Sequence, residues 1–268
     1  MLIASLISRS IIQGSGLGPI LWLVMASDLH PLSDVNIIVK YADDVNLLVT
    51  THLHDEFTHI QRWADENAMV INLSKITAKT LLYCGKIKEM VCHRPHPSKF
   101  CLPPPLEGIE QVQTAKLLGV VFQGSFCFIT HVDGILKLCS QRFFLLKQLR
   151  NQGMPLQQLH LIFQAIILNR ITYAIAVWGP FVSADLWQNI RAFLKRSWRY
   201  GFCDAQALLD SAMHDLFVKI QNPDHCLHQL LLPERSTTNL LRERGHNFEL
   251  YEYKFFTFHA VFCVKLSV

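Results

Sequence analysis

The clearest alternation of apolar and polar positions runs from Val35 to Val49. Two apolar stretches, Ile37-Ile38-Val39 and Val45-Asn46-Leu47-Leu48-Val49, flank the acidic pair Asp43-Asp44. β-rich runs on either side of a short polar step predict a hairpin, and their apolar content predicts that both strands are buried. Upstream, Ile20, Leu21, Leu23, Val24 and Met25 predict a helix that runs to about Asp28 and stops before Pro31. It is fed by Gln13-Gly14-Ser15-Gly16-Leu17-Gly18, where glycines permit close backbone approach to a ligand and Ser15 is a candidate N-cap. Downstream, Phe57, Ile60, Trp63 and Ala64 recur at helical spacing and predict a helix over Asp55 to Asn67. A strand is predicted from Met69 to Leu73, with Lys75 just beyond it, and further strands at Thr80–Tyr83 and Lys116–Phe122. Between these last two lies a loop-rich stretch, Cys84 to Gln111, with five of the eleven prolines.

From His131 onward the period becomes helical. Ile135, Leu138, Cys139, Arg142, Leu145, Leu146 and Leu149 predict one face of a helix that ends at Asn151-Gln152-Gly153. Pro155 opens a second helix through Leu159, Ile162, Phe163, Ile166 and Ile167. A third, capped by Ser183, sets Leu186, Ile190, Phe193, Leu194 and Trp198 toward a core. Its other side carries Arg191, Lys195 and Arg199 at i, i+4 and i+8, with Arg196 beside them. A stripe of cations along a helix suits either a solvated face or a track of phosphates.

Composition narrows the classes. The chain has 268 residues, half of them hydrophobic and 17% charged, with a net charge of +4. That excludes a disordered tail and allows one large or two small folded domains. The net charge hides an asymmetry. Residues 1–80 hold five Lys/Arg against eight Asp/Glu, a balance of −3, while residues 141–200 hold eight against one, a balance of +7. An acidic part suited to cations and a basic part suited to a polyanion follow. The most apolar stretch, Leu159 to Trp178, is interrupted by Asn169 and Arg170, so we expect a buried helix and not a membrane span. The N-terminus has no basic n-region, and eight cysteines lack any C-x-x-C pair. Both point to an intracellular protein with free thiols, in nucleus or cytoplasm. Cys84, Cys92, His93, His96 and Cys101, and the set His225, Cys226 and His228, lack the paired spacing of a structural zinc site.

Two adjacent carboxylates at a rigid hairpin tip suit hard divalent cations, which take oxygen ligands and can clamp both oxygens of an in-line phosphoryl displacement. A plain Asx turn would account for one of them. Combined with the loop at Gln13-Gly14-Ser15-x-Leu17-Gly18-Pro19, roughly two dozen residues upstream, Tyr41-Ala42-Asp43-Asp44 resembles the reverse transcriptases of non-LTR (LINE-type) retrotransposons. Trp63…Asn67…Asn72-Leu73-Ser74-Lys75, Lys116-Leu117-Leu118-Gly119-Val120, the stretch Gln141 to Arg150, Tyr173-Ala174 before Trp178, and Arg244-Gly245-His246 extend the likeness over most of the chain.

The resemblance implies an α+β protein: a partial polymerase palm over residues 1–122, then an all-helical thumb and C-terminal region over residues 123–268. It implies Asp43 as a Mg²⁺ ligand supported by Asp44, and Gln13, Gly14, Ser15 and Tyr41 against nucleotide and template. Lys75 would assist the leaving pyrophosphate, and the Leu117–Phe122 hairpin would touch the primer. Arg191, Lys195 and Arg199 would lie along the nucleic-acid backbone. The implied partners are an RNA template, a DNA primer and deoxynucleoside triphosphates.

The chain also departs from that family. A further metal-binding Asp belongs on a strand before the Gly-Ser loop, yet none of the twelve residues before Gln13 is acidic, and Asp28 is the first carboxylate. Residues 76–87 intervene where the family runs almost directly from Lys75 into a strand like Lys88–Val91. We therefore expect an N-terminally truncated copy that does not extend a primer by itself. The alternative is a non-catalytic protein that binds nucleic acid through the basic helices of residues 141–200.

Overall fold

The computed structural model describes residues 16–41, 44–71, 87–93, 102–202, 206–234, 248–249 and 258–267. The architecture is α+β, as the sequence indicates. Two compact units divide the chain: Met1–Phe126 together with Phe256–Val268, and Cys127–Phe255.

In the first unit, helix α1 spans Gly18–Met25 with Pro19 in its first turn, and a 3₁₀ turn over Ala26–Asp28 extends it to the expected end. Strands β1 (Ile37–Tyr41) and β2 (Asp44–Val49) form the expected antiparallel hairpin. Helix α2 spans Leu53–Glu66 and buries Phe57, Ile60, Trp63 and Ala64, the four residues that the spacing selects. Short β3 (Val70–Ile71) follows, then β4 (Lys88–Cys92), β5 (Glu110–Gln111) and a separate hairpin of β6 (Thr114–Leu117) and β7 (Val120–Gln123). β4 and β5 lie within and at the end of a stretch read from composition as loop. The strand expected at Thr80–Tyr83 lies outside the described residues.

One element is a surprise for a C-terminal region expected to be all-helical. Residues Phe258–Ser267 form a ten-residue strand, β8, which returns to the first unit. The sheet order is β1-β2-β8-β4-β5, with β3 also paired to β8. β8 is antiparallel to β2, β3 and β4, so it supplies the bonds that join the hairpin to the rest of the sheet. Its sequence, Phe-His-Ala-Val-Phe-Cys-Val, is apolar and partly β-branched, as a central strand requires.

On β2, Val45, Leu47 and Val49 alternate into a core with Trp22, Leu29, Ile60 and Trp63. On β1 the expectation of burial fails. Ile37, Val39 and Tyr41 are 46–60% exposed, because β1 is the edge strand and these residues point away from the α1–α2 side. A smaller core gathers Met90, Cys92 and Ala115 with Phe122 and Phe126. There the chain passes so close to β4 that a Cβ on Gly124 would lie 2.5 Å from the Val91 carbonyl oxygen.

A buried carboxylate ties α2 to the loop before β1. Glu56 accepts from the Leu32 and Ser33 backbone N–H groups at 3.0 and 2.9 Å and from Asn36 Nδ2 at 2.9 Å. Burial alone would raise its pKa, but the bonds from Asn36, Leu32 and Ser33 outweigh burial and hold it below the ordinary value. A group with a depressed folded pKa stabilises the native state above its unfolded pKa, and that stabilisation fades as pH falls through the lower folded value. We therefore expect the first unit to lose stability as pH drops below the ordinary carboxylate range. Glu56→Gln should cost about 1–3 kcal/mol at pH 7, since its amide meets N–H donors, and should flatten this part of the pH profile. Denaturant midpoints between pH 7 and 3 check both.

In the second unit, helix α3 spans Ile129–Asn151. Its buried face is Val132, Ile135, Cys139, Phe143 and Leu146, rotated from the expected one: Leu145 is exposed, and Phe143 takes the inward place. The reason lies opposite. Helix α4 (Leu156–Phe163) runs into a π turn over Gln164–Leu168, then α5 (Asn169–Thr172). The wider turn presents carbonyl groups sideways, and Arg142 and Cys139 of α3 donate to those of Ile166 and Ile167. Arg142, the one charged member of the predicted face, is thus committed to an internal bond.

By length and composition alone, the helical stretch Leu156–Phe181 could cross a membrane. It is not one continuous helix: Tyr173 leaves the helical conformation and Ala174 takes a positive φ before α6 (Ile175–Trp178). Leu159, Phe163, Ile167, Ile171, Ile175 and Trp178 are buried, while Asn169 and Arg170 face outward. Helix α7 (Ala184–Arg199) begins as expected, with Ser183 Oγ accepting from the Leu186 N–H, and α8 (Gln206–Ile220) follows.

Candidate active site and nucleic-acid interface

The hairpin register pairs Tyr41 with Asp44, Val39 with Asn46 and Ile37 with Leu48. Directly opposed residues share a face of a pleated pair, so Tyr41 and Asp44 point to the side away from the core. Tyr41 is exposed and Asp44 half-buried. Of the candidate active-site residues, these are the two that the structure brings together. Gln13, Gly14, Ser15, Asp43 and Lys75 lie outside the described residues.

A hard divalent cation takes six or more oxygen ligands. The strands on either side of β2 add none: neither Ile37–Tyr41 nor Phe258–Ser267 contains an acid, and the backbone register sets Lys265 opposite Asp44. Asp28, the first carboxylate in the sequence, accepts from Trp63 Nε1 at 2.9 Å on the core side. Among the described residues no group of three or more His, Cys, Asp or Glu side chains is placed to hold a metal ion. Among the described residues, Asp44 by itself does not make up the donor set of the Mg²⁺ site that the resemblance implies.

Among the described residues the Cys/His sets give no site either. Cys92 is buried in the smaller core, which pushes its thiol up to about 11. His225 Nδ1 accepts from the Leu227 N–H, and His228 Nδ1 lies 2.9 Å from the Ile220 carbonyl oxygen. Cys84, His96 and Cys101 lie outside the described residues.

Helix α7 of the second unit presents the basic stripe. Leu186, Ile190, Phe193, Leu194 and Ser197 are buried, so Arg191, Lys195 and Arg199 face outward, and all three are exposed. Trp198, expected in the core, is 57% exposed; Ser197 occupies the inward position, donating to the Phe193 carbonyl oxygen. Next to the stripe is a cationic cluster that sequence reasoning missed. Lys147 Nζ sits 4.1 Å from the Tyr200 ring centre and 5.0 Å from that of Phe143, and the Arg196 guanidinium lies over Phe143 and Phe193. Arg150 Nη1 donates to the Tyr200 carbonyl oxygen. A hydrogen bond from Lys147, then its charge and those of Arg196 and Arg150, hold the Tyr200 hydroxyl below the usual tyrosine range. Only the +7 balance hinted at this cluster from sequence, because the three cations are drawn from two separate helices.

Comparison with known proteins supports the reverse-transcriptase class. A transposon-derived protein of Drosophila melanogaster, described as a probable RNA-directed DNA polymerase from transposon BS, is 26% identical over 70% of this chain. The match covers 21% of that relative, so the chain spans about a fifth of its length. No family model and no solved structure matches the chain.

Proposed function

We propose that this chain contains the palm and thumb elements of an RNA-directed DNA polymerase of non-LTR type, and that by itself it binds template–primer without extending it. The observation that supports the polymerase reading is the Tyr-Ala-Asp-Asp hairpin, paired up to Tyr41 and Asp44 on the side of an antiparallel sheet that faces away from the α1–α2 core. In this reading Asp43 and Asp44 are two carboxylates of a divalent-metal site, with Gln13, Gly14, Ser15 and Tyr41 toward nucleotide and template. Lys75 stands near the leaving pyrophosphate, and the β6–β7 hairpin lies near the primer. The first unit serves as palm and the helices of the second as thumb. What supports inactivity is that the strands flanking Asp44 bring no further carboxylate.

Arg191, Lys195 and Arg199 then lie along the nucleic-acid backbone. Among the described residues none of the three is paired with a carboxylate, so each is available to displace a counterion from a phosphate. Replacing all three with Gln should reduce the slope of log affinity against log salt by roughly 3 for a template–primer duplex. Fluorescence anisotropy between 50 and 200 mM salt checks this. An unchanged slope would remove the stripe from the interface, and no binding at 50 mM salt would defeat the nucleic-acid reading altogether.

A further inference from the structure

Like Phe144, Phe181 and Tyr173, Trp198 is an exposed large aromatic side chain of the second unit, and it is the one of these that lies on the basic face of α7. A Trp in a well-formed helix beside a packed core ordinarily turns inward, since it has more apolar area to bury than any other side chain. Here the inward position goes to Ser197, and Trp198 stays 57% exposed. Its place on α7 explains where it points. Seven residues after Arg191 and three after Lys195, it falls on the helix face that those two cations occupy, with Arg199 at the margin. The surroundings are uniformly basic: Arg196 emerges beside the stripe, and Lys147 and Arg150 reach Tyr200 just beyond the end of α7. Asp185 is the one acid between Asp133 and Asp204, and it sits about 20 Å away, in the first turn of the same helix. Asp204 lies outside the described residues.

We propose that Trp198 is a base-stacking platform for a single strand of RNA or DNA, with Arg191, Lys195 and Arg199 holding the phosphates on either side of the stacked nucleotide. A flat π surface set between cations matches an unpaired nucleotide, whose base offers a free face and whose flanking phosphates are anionic. A blunt duplex matches it poorly, because its bases are stacked on one another and only phosphates are presented to a helix face. The inference builds on the reading of α7 as a nucleic-acid face and makes it specific for unpaired strands. It needs neither polymerase activity nor a metal.

The test uses the full chain with a fluorescent twelve-nucleotide oligo(dU) and a blunt twelve-base-pair duplex at 50 mM salt, without nucleotides or metal. Trp198→Ala should weaken oligo(dU) binding roughly 5- to 100-fold, the range that loss of one base–aromatic stack produces. Duplex affinity and the salt slope should stay as in the wild type, because no phosphate contact is removed. Trp198→Phe should recover most of the single-strand affinity. Circular dichroism should show unchanged helix content for both variants, as an exposed side chain is replaced. Equal oligo(dU) affinity in Trp198→Ala and the wild type, with duplex binding intact, would overturn the platform while leaving α7 as a nucleic-acid face. Equal losses for both probes would also overturn it, and absence of binding to either would end both readings.

Discussion

Deleting residues 258–267 should strip amide protection from β2 and β4 while α3 and α7 keep theirs. β8 lies between those two strands and pairs with both, and β3 pairs with it as well. Without it, the β1–β2 hairpin is an isolated pair with a second open edge, and two-stranded hairpins are marginal in water. Val45, Leu47 and Val49 would keep their contacts with α1 and α2, but the ladder that fixes their register would be gone. The newly opened edge, together with exposed Ile37, Val39 and Tyr41, should also drive association. Hydrogen exchange followed by mass spectrometry reads both units in one sample. Retained protection in β2 and β4 would show that β8 is dispensable.

Trp178→Ala should have the largest effect of any single substitution in the second unit, about 3–5 kcal/mol. The side chain is fully buried, and its Nε1 donates to the Tyr173 carbonyl oxygen at 2.9 Å. Its ring stacks on Trp187 at 6.2 Å and meets His131 edge-on at 5.3 Å, so it links α6 both to the start of α7 and to α3. Removing it opens a cavity where three helices meet and loosens the helix that presents the basic stripe. Nucleic-acid binding should weaken in step with the loss of stability, unlike in Trp198→Ala, where binding changes and stability does not. Urea unfolding followed by circular dichroism gives the cost, and a change under about 0.5 kcal/mol would contradict the packing described. Trp178→Phe should cost less, because it keeps much of the buried area.

The local elements could be read from local patterns. The α2 face, the hairpin pair and the Ser183 cap follow from spacing and capping chemistry among neighbouring residues. What could not be read depends on distant partners. β8 is a central strand because strands some 170–220 residues earlier in the chain leave a gap that an apolar segment fills, and nothing within residues 258–267 says so. The apolar residues of β1 look buried in sequence, but an edge strand has a neighbour on one side only. Phe143, absent from the face predicted for α3, points inward, while Arg142 bonds the Ile166 carbonyl oxygen in a π turn on another helix. Trp198 was assigned to the core on hydrophobicity, although its spacing from Arg191 already placed it with the cations. In the candidate active site, Tyr41 and Asp44 were legible from the motif. The lack of an acid before Gln13 was legible too, whereas which strands flank β2, and that neither carries an acid, needed the sheet order.

The proposal is of a nucleic-acid-binding polymerase relative that does not extend a primer by itself. Its most direct test incubates the purified chain with a poly(rA) template, an oligo(dT) primer, dTTP and Mg²⁺. One portion is resolved on a native gel and the other on a denaturing gel. The prediction is a retarded template–primer complex that dissolves between 50 and 200 mM salt, and a primer of unchanged length. Primer extension that disappears in Asp43→Ala would contradict it.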